Sequence, residues 1–78
     1  MIKQKYIIFD NGLAEVIVVF PNLIQHDHIQ VAGEIVSAGY INLNGPLTSC
    51  YGNSVSLKLN SRGAIDEKIA IRQLFQKD

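Results

Sequence analysis

The residues best suited to chemistry are Asn-Ser-Arg-Gly at positions 60–63, between an alternating apolar segment and a helical pattern. If a strand leads into a helix here, free backbone N–H groups, the Ser61 hydroxyl and the Arg62 guanidinium converge. That combination favours a phosphate or carboxylate ligand. The alternative is a serine that caps the helix beside a solvated arginine. The glycine series and the lysine of a dinucleotide or P-loop fingerprint are missing, so neither of those sites is predicted.

Two histidines separated by one residue are the second candidate. His26 and His28 flank Asp27, and a His-x-His pair on a strand points both imidazoles to one face. A metal site needs a third ligand, and no nearby acid or cysteine repeats a known ligand spacing. On a helix the two rings would diverge. We therefore predict no metal and no cofactor, with surface polar residues or ligand-facing histidines as the alternatives.

The candidate nucleophiles lack partners. Cys50 stands between a serine and a tyrosine, a setting more typical of core packing than of an activated thiolate. Ser54 and Ser56 lie on the expected exposed face of a predicted strand, and no sequence neighbour is able to act as a base. The sequence therefore predicts a binding or structural protein rather than an enzyme.

The elements that must position these residues begin with a predicted hairpin. A β-branched and aromatic run predicts a strand over 5–9, and Asn11 and Gly12 supply a tight turn. A valine-rich run predicts a second strand over 14–20. Both of its faces are apolar, whereas a small two-layer domain normally leaves one face of its sheet in water. We therefore expect the second face to meet something else, with a second copy of the chain as one candidate.

The middle of the chain predicts a short helix and a third strand. The helix is expected over 25–32, with Gly33 as its terminator, and the strand over 34–42. Small residues at the centre of that strand, ending at Gly39, indicate a bulge or a close approach by another backbone or a ligand. The predicted faces of the strand hold Ile35, Ser37, Gly39 and Ile41 on one side and Val36, Ala38 and Tyr40 on the other.

The last third predicts two strands and a helix. The strands are expected over 48–51 and 53–59, interrupted at Gly52, and the second shows half-buried alternation. A helix capped by Ser61 is expected to reach about Gln76, with Lys77 just past its end. Its apolar arc is wide, which favours packing either deep in its own domain or also on a neighbouring protomer. The fold predicted for residues 1–78 is a single α+β domain. An antiparallel sheet of four to five strands carries a C-terminal helix, and a short helix lies between strands two and three.

Composition narrows the function classes. The 78 residues are 47% apolar and 18% charged, which excludes a disordered chain. Seven basic residues balance seven acidic ones, so no electrostatic footprint for duplex nucleic acid is present. One cysteine fits a reducing compartment such as the cytoplasm. We expect neither a signal peptide nor a membrane span.

Three short elements carry a resemblance. They are Val-Ser-Ala-Gly-Tyr at 36–40, Cys-Tyr-Gly-Asn-Ser-Val-Ser-Leu at 50–57, and Ser-Arg at 61–62. Together they resemble a group of small uncharacterised phage and bacterial proteins that share a VSAG-aromatic, a CYGxSxSL and an SR element after an upstream histidine segment. Gly63 departs from the group, which has proline after the arginine. The resemblance implies size, fold and phage context, and it carries no established reaction.

Two functions from different classes follow as hypotheses. The first is a homo-oligomeric sponge, phage-encoded and acting in the host cytoplasm, that sequesters a nucleotide-type immune signal. In it, tyrosines stack on a base, hydroxyls donate to phosphate or ribose, and the arginine neutralises charge. The candidate ligand contacts are His26, His28, Tyr40, Tyr51, Ser54, Ser56, Ser61 and Arg62. The second is a protein–protein inhibitor or structural subunit that acts through an apolar surface without a small-molecule ligand.

Overall fold

Four antiparallel strands form the main sheet, in the order β2-β1-β3-β4, and a small two-stranded hairpin and one helix pack around it. The computed structural model describes residues 3–76, so Lys77 lies outside the described residues. The strands are β1 (Lys3–Asp10), β2 (Glu15–Phe20), β3 (Glu34–Asn42), β4 (Ser49–Tyr51), β5 (Asn53–Ser54) and β6 (Leu59–Asn60), and the helix is α1 (Ala64–Leu74). Two 3-10 turns lie at His26–His28 and Gly45–Leu47. The predicted α+β class and antiparallel sheet are confirmed.

The β1–β2 hairpin forms where it was predicted. The Asn11 side-chain oxygen accepts hydrogen bonds from the backbone N–H groups of Leu13 and Ala14, at 2.9 Å each. Gly12 has a φ of +94°, which residues with a Cβ rarely adopt. The turn is therefore held by local side-chain contacts that its own residues supply.

Both faces of the sheet are covered by the chain itself. On one face α1 contributes Ile69 and Ala70 to a core whose other members are Tyr6, Ile8, Ile17, Ile41 and Cys50. On the other face, Ile7, Phe20 and Ala38 are covered by Ile29 and Val31 of the 21–33 segment and by Leu57 and Leu59 of the second hairpin. The apolar second face of β2 therefore meets loops of the same chain. A second copy is not needed to cover it.

A bulge in β3 changes the predicted faces of that strand. Ile8 pairs with Ser37 but Phe9 pairs with Ile35, so Val36 is an extra residue. Ile35 consequently packs with the cluster opposite α1, while Val36 packs on the helix side. The prediction of one face for Ile35 and Gly39 is wrong, because the bulge reverses the alternation between them.

The predicted helix over 25–32 is only the 3-10 turn His26–His28. Gly33 does not terminate a helix. It lies against β1, where an added Cβ would come within 2.1 Å of the Asp10 carbonyl oxygen. The glycine is required because two backbone segments approach closely at this point.

The predicted strand over 53–59 is also wrong. The segment folds back on itself as β5, a tight turn and β6, and Lys58 takes a left-handed φ of +57°. Val55 is consequently 82% exposed and Ser54 is buried, the reverse of the predicted pattern. A period-two apolar pattern over so few residues fits a tight hairpin as well as a strand.

The final helix begins later than predicted. Its N-cap is Gly63, with a φ of +58°, and no side chain caps it. Ser61 is therefore not the helix cap, and the helix ends at Leu74 rather than near Gln76. No helix within residues 3–76 is long and apolar enough to cross a membrane.

Candidate functional site

A cleft of about 350 Å³ opens on the sheet face opposite α1, between the 3-10 turn at His26–His28 and the second hairpin. Its walls are Lys5, Gln25, His26, Tyr40, Val55 and Ser56. Three of these, His26, Tyr40 and Ser56, are residues that the sequence analysis named as ligand contacts. The wall combines an aromatic ring, an amine, an amide and a hydroxyl, which is a donor-rich lining for a small polar ligand.

Tyr40 and Tyr51 form the aromatic side of this region. They are direct partners across β3 and β4, and their rings stack with centroids 6.0 Å apart and planes 29° from parallel. Gly52 makes the arrangement possible, because a Cβ there would lie 2.9 Å from the Tyr40 ring. Tyr51 remains 39% exposed, so a planar group has access to its ring.

His26 is a fixed wall of the cleft. It is 4% exposed and its ring stands edge-on between Phe20 and Tyr40, at 5.6 Å and 6.0 Å. Its Nε2 lies 2.9 Å from the carbonyl oxygen of Gly39. Because a carbonyl only accepts, Nε2 carries the proton in this hydrogen bond. The nitrogen left to act as an acceptor is therefore Nδ1.

Two lysines of β1 bring positive charge to the same face. Lys3 Nζ lies 4.5 Å from the centroid of the Tyr40 ring, a cation–π distance. Lys5 is the register partner of Tyr40 and donates from Nζ to the carbonyl oxygen of Ile24 at 2.9 Å. Within residues 3–76, neither amine pairs with a carboxylate. No carboxylate of the described residues therefore balances the charge beside the tyrosines.

The remaining predicted residues on this side have mixed positions. Ser54 is buried and its hydroxyl accepts from the Leu57 backbone N–H at 3.2 Å, so it holds the tight turn. Ser54 and Ser56 hydroxyls are 3.3 Å apart, which links the cleft wall to that turn. The side chain of His28 is 68% exposed, lies 3.9 Å from Asp27, and does not line the cleft.

The three sequence elements of the resemblance meet at the end of β3. A Cβ at Gly39 would come within 2.5 Å of the Tyr51 carbonyl oxygen and 3.2 Å of the Ser61 Cβ. Ser61 in turn donates its backbone N–H to the carbonyl of Gly52 at 2.9 Å. These glycines and this serine are therefore needed to pack three chain segments together, whatever else they do.

Ser61 and Arg62 belong to a polar cluster on the helix side of the sheet. Arg62 Nη2 donates to Glu15 at 2.7 Å and Nε donates to Asp66 at 2.8 Å. Its side chain is 28% exposed, so it is not the solvated arginine of the sequence analysis. The Glu15 hydrogen bond, opposed by burial and reinforced by Asp66, raises the pKa of Arg62. Its charge is already balanced by two carboxylates.

Asp66 is the centre of that cluster. It is fully buried and also accepts from the Arg62 backbone N–H at 2.9 Å and from the Tyr6 hydroxyl. The Tyr6 proton is given to Asp66, so the Ser61 hydroxyl, 2.7 Å away, donates to the Tyr6 oxygen, and it accepts from the Gly63 N–H at 3.1 Å. Burial, with the hydrogen bond to Asp66, raises the pKa of Tyr6 well above its usual 10.0. The hydroxyl therefore stays protonated and remains a donor.

Cys50 lies beside this cluster, buried in the helix-side core. Burial raises its thiol pKa to about 12, and the charges of Asp66 and Glu67 act in the same direction. A thiol that stays protonated is a poor nucleophile. No group of three His, Cys, Asp or Glu within residues 3–76 is arranged to hold a metal ion.

The predicted site residues therefore divide between two places. Cleft-side residues are His26, Tyr40, Tyr51, Ser54 and Ser56, and helix-side residues are Ser61 and Arg62. His28, the eighth, contributes to neither. Sequence reasoning missed Lys5, Gln25 and Val55 at the cleft and Lys3 beside it, over the Tyr40 ring. Lys3 and Lys5 were detectable in principle, since residues two apart on a strand share a face. Their distance from Tyr40 in sequence hid the connection.

Comparison with known proteins found no match to the chain among family models, curated proteins or solved structures.

Proposed function

We propose that this protein is a small binding protein that holds a nucleotide-type ligand in the cleft, without turning it over. In this proposal the base stacks on the exposed ring of Tyr51, and the phosphate is neutralised by Lys3 and Lys5. The observation that carries it is a stacked tyrosine pair beside two amines that no carboxylate of residues 3–76 balances. Stacking and charge-assisted hydrogen bonds are the two interactions that a nucleotide requires.

The phosphate contact assigned by the sequence to Arg62 moves, in this proposal, to the lysines. Arg62 already donates to Glu15 and Asp66, and a phosphate would have to displace one of these carboxylates. The side-chain hydroxyl of Ser56 and the amide of Gln25 line the cleft and supply donors for ribose or phosphate oxygens.

The biological role we propose is sequestration. A phage-encoded homo-oligomer of this chain, in the host cytoplasm, would lower the free concentration of a host nucleotide immune signal. Support comes from the small size of the chain, from its resemblance to phage and bacterial proteins, and from the absence of an activated nucleophile among the residues at the cleft. A sponge requires a binding site and molar abundance, and it requires no catalytic group.

Thermal unfolding across a panel of cyclic nucleotides, mononucleotides and ADP-ribose derivatives tests the proposal. A ligand at a hundred times its dissociation constant stabilises the folded state by about 2.7 kcal/mol. Mass spectrometry of the same mixtures should show every ligand unchanged. Stabilisation by none of the panel, or formation of a product, would contradict binding without turnover.

Substitution of Tyr51, which stacks on the cleft residue Tyr40, gives the matched test of position. Tyr51→Ala removes the exposed ring of the stack and should weaken binding of a hit about tenfold or more. Phe75→Ala is the control, since Phe75, directly after α1, is a similarly exposed aromatic residue, 43% against 39%. Equal loss in both variants would show that the ligand is not at the cleft.

The second candidate is a protein–protein inhibitor or structural subunit, which exposed apolar side chains favour. Leu13 and Leu23 are each 96% exposed, and Val55 is 82% exposed. Each lies outside the regular strands and α1, where an apolar side chain stabilises the fold little. If the ligand panel is negative and Leu23→Asp abolishes binding to a host protein, this function replaces the first.

A further inference from the structure

The outer edge of β2 has an open stretch whose position follows from the hydrogen bonding of the hairpin. Asn11 donates to the Ala14 carbonyl at 3.1 Å, and the register continues without a shift to Lys5 and Phe20. Hydrogen-bonded pairs alternate in antiparallel strands. The backbone groups of residues 16, 18 and 20 therefore face β1, and those of 15, 17 and 19 face outward.

The side chain of Gln73 closes one half of this edge. Its Oε1 accepts from the Ile17 N–H at 2.9 Å and its Nε2 donates to the Glu15 carbonyl at 2.7 Å. One amide thus takes the place of a neighbouring strand beside Val16. Pro21 closes the other end, because it has no N–H to donate. Val19 is left as the residue of the edge with both backbone groups facing outward and bonded to nothing in residues 3–76.

We propose that a second copy of this chain pairs with the first at Val19, across a two-fold axis. The N–H of each Val19 donates to the carbonyl of the other, forming a short antiparallel bridge between two β2 strands. This names the interface of the homo-oligomer included in the proposed function, but it does not depend on the ligand. The cleft lies elsewhere on the chain, and none of its lining residues belongs to β2.

Three properties of the edge favour a second copy over another protein's strand. An antiparallel two-fold arrangement places the Val19 N–H of each copy opposite the Val19 carbonyl of the other, so one residue supplies both donor and acceptor. Residues 16–20 carry no charge, and the nearest carboxylate, Glu15, is already neutralised by Arg62, so two copies meet without repulsion. Gln73 and Pro21 leave too short an opening for a long extended peptide, whereas a two-fold bridge needs about three residues.

Val19→Pro tests the proposal, with Val19→Ala as the matched control. Because the Val19 N–H bonds to nothing within residues 3–76, proline at this edge removes no described intrachain hydrogen bond. Both variants lose the valine side chain, and only proline loses the N–H. Mass by light scattering, from about 10 μM to about 1 mM, should show a dimer for the wild-type and alanine chains. The proline chain should dimerise about thirtyfold more weakly, since two hydrogen bonds are lost per dimer.

Amide hydrogen exchange of the wild-type chain gives a second readout that needs no substitution and decides the matter if the proline variant is unfolded. Protection of the Val19 amide should rise with protein concentration, whereas the already paired amide of Val18 should change little. A wild-type monomer at about 1 mM, or a Val19 amide whose exchange is independent of concentration, would overturn the proposal. Either result leaves the ligand proposal standing, because the ligand panel is measured on monomer and dimer alike.

Discussion

The two faces of the sheet differ in whether their charged side chains have partners of opposite charge. On the helix face, Arg62 is held by Glu15 and by the fully buried Asp66, which also accepts from Tyr6. On the cleft face, the amines of Lys3 and Lys5 have no carboxylate partner among the described residues. The helix face is a closed network, and the cleft face leaves positive charge for something else to balance.

The difference shows why residue type alone is a weak guide to an anion site. A serine and an arginine at a strand–helix junction have the right chemistry, but a charge is available to a ligand only where folding leaves it uncompensated. Folding brought Glu15 to Arg62 across 47 residues of sequence. The lysines, which look like ordinary surface residues of a first strand, have no carboxylate partner within residues 3–76.

The largest effect expected is that of Asp66→Ala, which breaks the closed network. It leaves the buried Tyr6 hydroxyl without its acceptor and removes one of the two partners of the Arg62 guanidinium. The folded state should lose about 3–5 kcal/mol, the cost of removing one partner of a buried charged pair. Urea unfolding measures it, with Asp27→Ala as the control for an exposed carboxylate. A loss under about 1 kcal/mol would mean that the network contributes little to stability.

Gly39→Ala tests the close contact of β3 with Tyr51 and Ser61. The added methyl group would meet the Tyr51 carbonyl oxygen at 2.5 Å, and backbone is unable to yield as a flexible side chain does. We expect a loss of about 1–3 kcal/mol by urea unfolding. Gly45→Ala is the control, since nothing lies within 4 Å of its added methyl and only its φ of +52° is unfavourable. A loss under about 0.5 kcal/mol for Gly39→Ala would show that strain at the Gly39 contact is small.

Alkaline pH should lower the stability of the folded chain through the buried titratable groups on the helix face. The Cys50 thiol has its pKa raised from 9.0 to about 12 by burial. Above pH 9 the unfolded chain therefore releases this proton while the folded chain retains it, so stability falls as pH rises from 9 towards 12. The slope is about 1.4 kcal/mol per pH unit for one proton. Tyr6 acts in the same direction from pH 10 upward.

Cys50→Ala separates the two contributions to the pH effect. Urea unfolding between pH 9 and pH 11 should show a flatter decline in the variant, because only the contribution of Tyr6 remains and it begins near pH 10. An unchanged slope would assign the alkaline loss to other groups. The thiol should also react slowly with aromatic disulfide reagents at neutral pH in the folded chain, and rapidly once urea is added.

The sequence predicted the parts of the fold that depend on neighbouring residues. Asn11 bonds to its own turn, and the third strand has its predicted bounds of Glu34–Asn42. The small residues of that strand indicated a bulge or a close approach, and the strand contains both. Local patterns succeed where a short stretch supplies both the propensity and the contact.

The failures have a common cause in contacts between distant residues. The segment over 53–59 alternates like a strand, yet Lys58 adopts a left-handed φ and Val55 points to solvent. The predicted helix over 25–32 is reduced to one turn, because His26 is held by the Gly39 carbonyl and Val31 by the second apolar face of the sheet. The site was divided for the same reason. Cleft residues come from β1, β3, the 3-10 turn and the second hairpin, and no sequence spacing records their meeting.

The smallest effect on stability, and the sharpest test of the cleft face, is expected for Lys5→Met. Lys5 bonds the Ile24 carbonyl at an exposed position, and methionine retains most of the aliphatic stem, so the free energy of unfolding should change by less than about 0.5 kcal/mol. A phosphate held by this amine would lose a charge-assisted hydrogen bond worth about 1.5–3 kcal/mol. Titration of a panel hit should therefore show an affinity about ten- to a hundredfold lower, while the free energy of unfolding in urea barely changes.

Lys68→Met is the control, because it removes one exposed amine from α1 and leaves the cleft intact. If both substitutions weaken binding equally, long-range attraction explains the effect and rising salt should abolish it. If Lys5→Met alone weakens binding, the open charge beside Tyr40 is the part of the molecule that a ligand contacts.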